Sequence, residues 1–97
     1  MMYFLVISSS AKNDLFEATS WYEDKRKGLS IDFELCIEAG LFQILSNPLL
    51  FQERYKNVRI NFIERFPYGI HYRIIQNKIE VLGFFHTSRS PTNWFSR

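Results

Sequence analysis

The sequence predicts an α+β domain in which a strand precedes an antiparallel helical hairpin and a three-stranded antiparallel meander follows it (β-α-α-β-β-β). Three observations predict this order. A short apolar run near residue 5 is typical of a strand, two segments between residues 11 and 45 repeat apolar residues at helical spacing, and three later segments have strand character. The 97 residues are sufficient for one domain, which we predict over residues 1–97.

The first strand is predicted from the aromatic and aliphatic run that extends from Tyr3 to Ile7. Three serines follow it at residues 8–10, and serine is a preferred residue at the start of a helix. We expect this strand to be able to pair with the sheet formed by the later strands.

The first helix is predicted from apolar residues at spacings of four, three and four, namely Ala11, Leu15, Ala18 and Tyr22. The basic residues 25–27 suit a helix C-terminus, and Gly28 suits the position just beyond it. The connection to the next helix is therefore short, which predicts an antiparallel hairpin.

The second helix is predicted to be capped by Ser30 and to carry Asp32 in its first turn, where the helix dipole favours a negative charge. One face is apolar, with Phe33, Ile37, Leu41, Ile44 and Leu45. Asn47 and Pro48 are expected to end the helix.

The meander follows a predicted loop over residues 49–57. In the segment VRINFIERF, Val58, Ile60 and Phe62 alternate with Arg59 and Asn61, which is a strand pattern. Pro67 interrupts it, because a central strand rarely tolerates proline. GIHYRII and KIEVLGFFH are the next two strands. They are joined by a tight turn at residues 76–77, where Asn77 tolerates left-handed dihedral angles. The segment after residue 86 is rich in turn residues and is expected to finish in a short helical turn.

Both faces of the predicted sheet carry apolar side chains. Strict alternation directs Ile79, Val81 and Phe85 to one face and Leu82 and Phe84 to the other. In the preceding strand, Ile75 is directed opposite to its apolar neighbours. Two helices cover only one face, so the second face predicts a partner-binding surface that includes Leu82, Phe84 and Ile75.

Composition narrows the functional classes. Twelve Lys and Arg against ten Asp and Glu give a net charge of +2, so bulk charge does not argue for a nucleic-acid partner. The single cysteine, Cys36, cannot form a disulfide within the chain and is interpreted as a small buried apolar residue. Without a signal-like or membrane-spanning run, the chain is expected to be cytoplasmic. We predict neither a cofactor nor a metal ion.

Four segments together resemble the RelE/ParE superfamily of type II toxin–antitoxin toxins. They are DLFEATSWYEDKRKGLSIDFE, NPLLF, VRINFIERFPYGIHYRI and VLGFFHTSRSPTNW, in the family's order and spacing. The resemblance implies the same β-α-α-β-β-β fold and a role in growth inhibition and plasmid stabilisation. It also implies a cognate antitoxin whose C-terminal segment covers apolar surface on the toxin.

The superfamily divides into two branches by target, and individual residues of this sequence indicate which branch it resembles. RelE-like members cleave ribosome-bound mRNA, whereas ParE-like members inhibit DNA gyrase and are not enzymes. Arg59 and Arg89 match basic positions of the RNases, and His86 can serve as an acid or base. Asn61 is uncharged at an alternate basic position, and Gly69 replaces a central arginine. The resemblance therefore favours the ParE-like branch and leans against an enzyme.

Two alternatives to gyrase inhibition remain open from the sequence. One is an mRNA endonuclease that uses Arg59, His86 and Arg89, with Trp94 or Phe95 stacked on a base. The other is a degenerate toxin that retains only antitoxin binding.

Several of these residues also have structural interpretations. Arg59 and Arg73 are typical of solvent-facing strand residues paired with an acid such as Glu64 or Glu80. Trp94 is more typical of a ring that fixes a C-terminal turn to the core than of one that binds a base. Tyr68 and Tyr72 suit core positions with hydroxyls at the rim.

The remaining candidates concern the stretch RFPYGIHYRI. It is interpreted as mainly architectural, as a turn that begins the central strand. Arg65 and Arg73 at its two ends, together with Trp94, are predicted to contribute to partner binding. The two arginines would form a basic patch that faces an acidic partner or nucleic acid. A structural hydrogen bond is an equally good interpretation of His86.

Overall fold

The structure is a computed structural model and describes residues 2–88. Two helices lie against one face of a five-stranded sheet, which confirms the predicted fold class. The sheet order is β1-β5-β4-β3-β2, with β1 parallel to β5 and the other neighbours antiparallel. The elements are β1 (Phe4–Ile7), α1 (Ser9–Lys25), α2 (Leu29–Ser46), β2 (Glu53–Tyr55), β3 (Val58–Phe62), β4 (Tyr68–Ile75) and β5 (Lys78–His86).

The strand β2 lies within the segment predicted as a loop, so the meander contains one more strand than expected. It pairs with β3, with Glu53 opposite Arg59. Lys56 and Asn57 join the two strands with φ angles of 41° and 64°, which is the left-handed geometry of a two-residue hairpin turn. Three residues, two of them charged, are too few to produce a strand signal in the sequence.

The start of α1 agrees with the prediction, whereas the start of α2 does not. Ser8 caps α1 by accepting a hydrogen bond of 3.1 Å from the backbone N–H of Ala11. Helix α2 begins at Leu29 after Gly28, whose φ of 88° lets the chain reverse direction. Ser30 is therefore inside the helix rather than at its cap.

The carboxylate of Glu23 replaces the predicted serine cap. It accepts hydrogen bonds from the backbone N–H groups of Gly28 and Ser30 and from the Ser30 hydroxyl at 2.6 Å. These bonds, the Ser30 hydroxyl first, lower the pKa of Glu23 below its usual value. The last turn of α1 is thereby tied to the first turn of α2.

The core lies between the inner faces of the two helices and one face of the sheet. At its centre the Tyr22 ring packs 4.9 Å from both Phe33 and Phe66, and Phe33 packs 5.3 Å from Tyr68, measured between ring centroids. Phe66 and Tyr68 flank Pro67, and the Tyr68 N–H donates to the Phe66 carbonyl at 2.8 Å. The stretch RFPYG thus fastens β4 to the helical hairpin, which agrees with its architectural interpretation.

A β-bulge in the β4–β5 ladder changes which residues face the helices. His71 lies opposite Gly83 and Tyr72 lies opposite Val81, so Leu82 is an extra residue on β5. The alternation predicted for this strand is therefore wrong beyond Leu82. Phe84 joins the core on the helix side, whereas Phe85 packs against His71 with ring centroids 4.7 Å apart.

The turn between β4 and β5 lies where it was predicted, but a different residue adopts the unusual backbone conformation. Gln76 has a φ of 56°, whereas Asn77 was expected to take the left-handed geometry. The Asn77 carbonyl instead accepts a hydrogen bond of 3.1 Å from the backbone N–H of Phe4. This bond extends the parallel pairing of β1 with β5.

Candidate functional site

An open cleft of about 300 Å³ lies between α1 and the ends of β4 and β5, and we call it the His86 cleft. Helix α1 contributes one wall, because residues 14, 17 and 21 lie at spacings of three and four on one helical face. The strands contribute the other wall. The polar and aromatic lining consists of Asp14, Glu17, Trp21, Tyr22, Tyr68, Phe84 and His86.

His86 is held in the cleft by its immediate neighbours. The Ser88 backbone N–H donates to Nδ1 at 3.1 Å, and the Ser88 hydroxyl oxygen lies 2.7 Å from the same atom. Nδ1 is therefore an acceptor, which assigns the proton of the neutral ring to Nε2. The imidazole also packs edge-on against Tyr68, with ring centroids 5.3 Å apart.

The charge of the His86 cleft is acidic rather than basic. Asp14 accepts a hydrogen bond of 3.2 Å from the Phe84 backbone N–H, and Glu17 accepts one of 3.0 Å from the Asn13 side chain. No Lys or Arg lies among the described lining residues. Stabilising the charge that develops on a phosphate during RNA cleavage needs positive groups, and no Lys or Arg within residues 2–88 lines the cleft to supply them.

Arg59 lies far from His86. In the strand registers, Arg59 is opposite Tyr72 and His86 is opposite Tyr68. Those two tyrosines are four residues apart along β4, which corresponds to roughly 13 Å at the rise of a strand. The structure therefore does not bring together the two predicted catalytic residues that it describes. The third, Arg89, lies outside the described residues, as do Trp94 and Phe95.

Arg59 instead secures the chain that follows α2. Its guanidinium donates to the Phe51 carbonyl at 2.6 Å and to the Leu49 carbonyl at 3.4 Å, and it lies 3.8 Å from the Glu53 carboxylate. Arg59 is thus paired with an acid, as one interpretation of the sequence expected, but the acid is Glu53 rather than Glu64 or Glu80. These contacts explain the arginine without a catalytic role.

Asn61 and Gly69, which stand at basic positions of the RNases, both have structural roles. Asn61 is buried beneath α2 and donates to the Gly40 carbonyl at 3.0 Å. A Cβ atom on Gly69 would lie only 2.8 Å from Cγ2 of Ile60, so an added side chain would displace its neighbours. An arginine at either position would require the sheet to repack.

The structure does not assemble the predicted apolar partner surface. Phe84 is only 2% exposed and packs on the helix side of the sheet, which contradicts its predicted direction. Leu82 is half-buried at the bulge, and Ile75 is exposed near the opposite end of β4.

The two predicted partner-binding arginines also lie apart. Arg65 precedes β4 and lies 3.5 Å from the Asp32 carboxylate on α2. Arg73 lies towards the other end of β4 and donates from Nε to Glu80 at 2.7 Å, as one interpretation of the sequence expected. Each arginine is thus matched to an acid of the same chain, and they do not form one basic patch.

An exposed apolar surface on α2 was not among the predicted sites. Ile31, Leu35 and Phe42 are 63%, 58% and 70% exposed, and we call them the outer stripe of α2. At 100° per residue they lie on the side of the helix opposite its buried residues. The sequence signal for this surface is a second set of apolar residues at spacings of four and seven, beside the inner set that predicts the core face.

Residues 2–88 contain neither a membrane-spanning helix nor a metal-binding cluster. Neither helix in this part of the chain is long and apolar enough to cross a membrane. No group of three or more His, Cys, Asp or Glu side chains within the same residues is arranged to hold a metal ion.

No protein-family model matches the chain. Sequence comparison with curated proteins does find similar toxins. Toxin ParE2 from two strains of Mycobacterium tuberculosis, CDC 1551 / Oshkosh and ATCC 25618 / H37Rv, is 29% identical over 89 residues. The match covers 90% of this chain and 84% of each relative.

Structural comparison gives a fold match. A chain from a structure described as the chromosomal ParDE TA system from P. aeruginosa superposes with a TM-score of 0.79 at 18% identity. The match covers 90% of this chain and 98% of the other. The chain is therefore similar in sequence to ParE2 toxins over most of its length, and it has the fold of the chain from the ParDE structure.

Proposed function

We propose that the chain is the toxin of a type II toxin–antitoxin pair and inhibits DNA gyrase in the cytoplasm through protein contacts. A cognate antitoxin neutralises it, and the pair serves plasmid stabilisation. The observation that carries the proposal is the similarity to ParE2 toxins over 90% of the chain. The gyrase target is inferred from the ParE-like branch of the superfamily.

The arrangement of the candidate RNase residues supports a non-enzymatic toxin. Arg59 holds backbone carbonyls near β2 and is roughly 13 Å along the sheet from the level of His86. The cleft that contains His86 is lined by carboxylates. Protein contacts with a target require no titrating side chain in this cleft.

The direct test measures DNA supercoiling by purified gyrase, with and without the toxin freed of its antitoxin. We expect supercoiling to fall and cleaved DNA to accumulate. A toxin that arrests growth but leaves gyrase unaffected would overturn the proposal. Cuts in ribosome-bound mRNA would then establish the endonuclease, and the absence of growth arrest would indicate a degenerate toxin.

A matched pair of variants separates the mechanisms. His86→Ala and Arg59→Lys both preserve gyrase inhibition if the proposal is correct, provided that the variants remain folded. An endonuclease instead loses activity when His86 is removed, because general acid–base catalysis contributes about 10²–10⁴-fold to a rate. Circular dichroism melts of both variants confirm that any loss is not caused by unfolding.

A further inference from the structure

We propose that the outer stripe of α2 is a docking surface for an amphipathic helix of a partner protein that carries Lys or Arg beside its apolar residues. The exposed side chains are large, and they lie on one face of a regular helix of 18 residues. This proposal does not depend on gyrase being the target of the toxin.

The dimensions of the outer stripe fit a helical partner. Ile31 and Phe42 are eleven positions apart, which corresponds to about 16 Å, or three turns, along the helix axis. The apolar positions i, i+4 and i+11 of the stripe are those that meet the apolar ridge of a second helix. The patch is therefore long enough to orient a partner rather than to contact a single side chain.

The charges around the outer stripe define the chemistry of the partner. Helix α2 contains three acidic residues and no basic one. Asp32 is paired with Arg65 at 3.5 Å, whereas no ion pair among the described residues engages Glu34 or Glu38.

Glu34 and Glu38 are direct neighbours of the outer stripe. Glu34 follows Ile31 by three residues, and Glu38 precedes Phe42 by four, so both carboxylates lie beside apolar side chains on the helix surface. Basic side chains along the edge of a docked helix would meet these carboxylates. Such complementarity selects the partner and sets its orientation.

The same charges argue against a second copy of this chain as the occupant. A symmetric dimer places one stripe against the identical stripe of the other copy. Glu34 and Glu38 of both copies would then be close together without a basic residue from either α2. Like charges in such an interface are unfavourable, so a basic helix is the better fit.

The experiment uses two synthetic amphipathic peptides with the same apolar face, one flanked by lysines and the other by glutamates. Fluorescence anisotropy measures the binding of each labelled peptide to the full chain. We expect the lysine peptide to bind at least tenfold more tightly, and we expect its affinity to fall as salt is raised. Equal binding of the two peptides, or no binding of the lysine peptide, would overturn the proposal.

Surface variants locate the interaction. We expect Leu35→Ser with Phe42→Ser to abolish binding, and Glu34→Lys with Glu38→Lys to reverse the preference between the peptides. Leu50→Ser is the matched control, because Leu50 is 67% exposed but lies beyond α2. Unchanged affinity in the double serine variant would place the peptide elsewhere and contradict the proposal.

Sedimentation of the chain without peptide tests the competing occupant. We expect a monomer in both the native chain and the double serine variant. A native dimer that the serine substitutions dissociate would assign the stripe to self-association instead. Peptide binding and sedimentation do not involve gyrase. Their outcomes are therefore distinguishable from a failure of the proposed function.

Discussion

The inner and outer faces of α2 contain the same kinds of side chain in opposite environments. Phe33 is fully buried and Ile37 is 2% exposed, whereas Phe42 and Ile31 on the outer face are more than 60% exposed. The inner residues lose contact with water when the chain folds, so they contribute to folding free energy. The outer residues remain in water, and their burial is available only to a partner. Apolar character alone therefore does not distinguish a folding role from a binding role.

The largest expected effect on stability comes from replacing a phenylalanine by alanine on each face of α2 in turn. We expect Phe33→Ala to lower the free energy of unfolding by about 3–5 kcal/mol, because it removes a fully buried ring from the aromatic cluster. Phe42→Ala is expected to change it by no more than about 0.5 kcal/mol. Denaturant unfolding of both variants measures the difference. Similar losses would show that the two faces do not differ as described.

A smaller effect is expected from adding volume at two adjacent positions of α2. A Cβ on Gly40 would lie 2.8 Å from Cδ1 of Ile70 and 3.0 Å from Cγ2 of Ile63. Gly40→Val is therefore expected to cost about 1–3 kcal/mol through overpacking. Ala39→Val, on the exposed side, is the control and should cost about 0.5 kcal/mol through helix propensity alone. Thermal melts that rank the two variants in the reverse order would contradict close packing at Gly40.

The connection after α2 provides the next test. The buried Tyr72 hydroxyl donates to the Pro48 carbonyl at 2.6 Å. Tyr72→Phe is expected to cost about 1 kcal/mol, the typical net value of one such hydrogen bond.

Tyr72 is also expected to make the free energy of unfolding depend on pH. Burial, partly offset by Arg59, raises the pKa of Tyr72 to about 12 in the folded chain. The unfolded value is about 10. The resulting stability is fully present below about pH 10 and is lost as the pH rises through about 12. Urea unfolding at several alkaline pH values should show a smaller loss in Tyr72→Phe than in the native chain.

The smallest effect is expected at the start of α2. Hydrogen bonds from Ser30 and Gly28 lower the pKa of Glu23, so its contribution to stability is present above the usual glutamate pKa. That contribution is lost as the pH falls through the lowered value. The melting temperature of Glu23→Gln should therefore depend less on acidic pH than that of the native chain. Asp24→Asn, at an exposed neighbouring position, serves as the control and should retain the native dependence.

Most of the fold was predictable because its longer elements have clear periodicity. The bounds of β5, Lys78–His86, match the predicted segment, and the inner stripe of α2 packs into the core as expected. The three-residue strand β2 was not predictable, since its pairing depends on contacts with β3 that short sequences do not encode strongly. The cap of α2 was not predictable from Ser30 alone, because the carboxylate that accepts the N–H bonds comes from Glu23, seven residues earlier in the chain.

The candidate surfaces were less predictable for a physical reason. One extra residue at Leu82 reverses the alternation of all later β5 side chains, so Phe84 and Phe85 exchange faces. The local signal for the bulge is Gly83, directly after Leu82, since an isolated glycine inside a strand often marks a bulge, but strict alternation takes no account of it. The outer stripe of α2 had a visible spacing, but its exposure depends on which helical face the sheet covers. The predicted roles of Leu82, Ile75 and the arginines in partner binding stay predictions.

The parallel pairing of β1 with β5 has a consequence for biosynthesis. The Ser8 hydroxyl reaches the Leu82 carbonyl across 74 positions of sequence, where β1 gives way to α1. At roughly 5–20 residues per second, β1 is synthesised about 4–15 seconds before the facing part of its partner strand. During that interval the nascent chain exposes an unpaired apolar strand to chaperones and to other nascent chains. The sheet is therefore completed late in synthesis, and the speed of translation sets how long β1 remains unpaired.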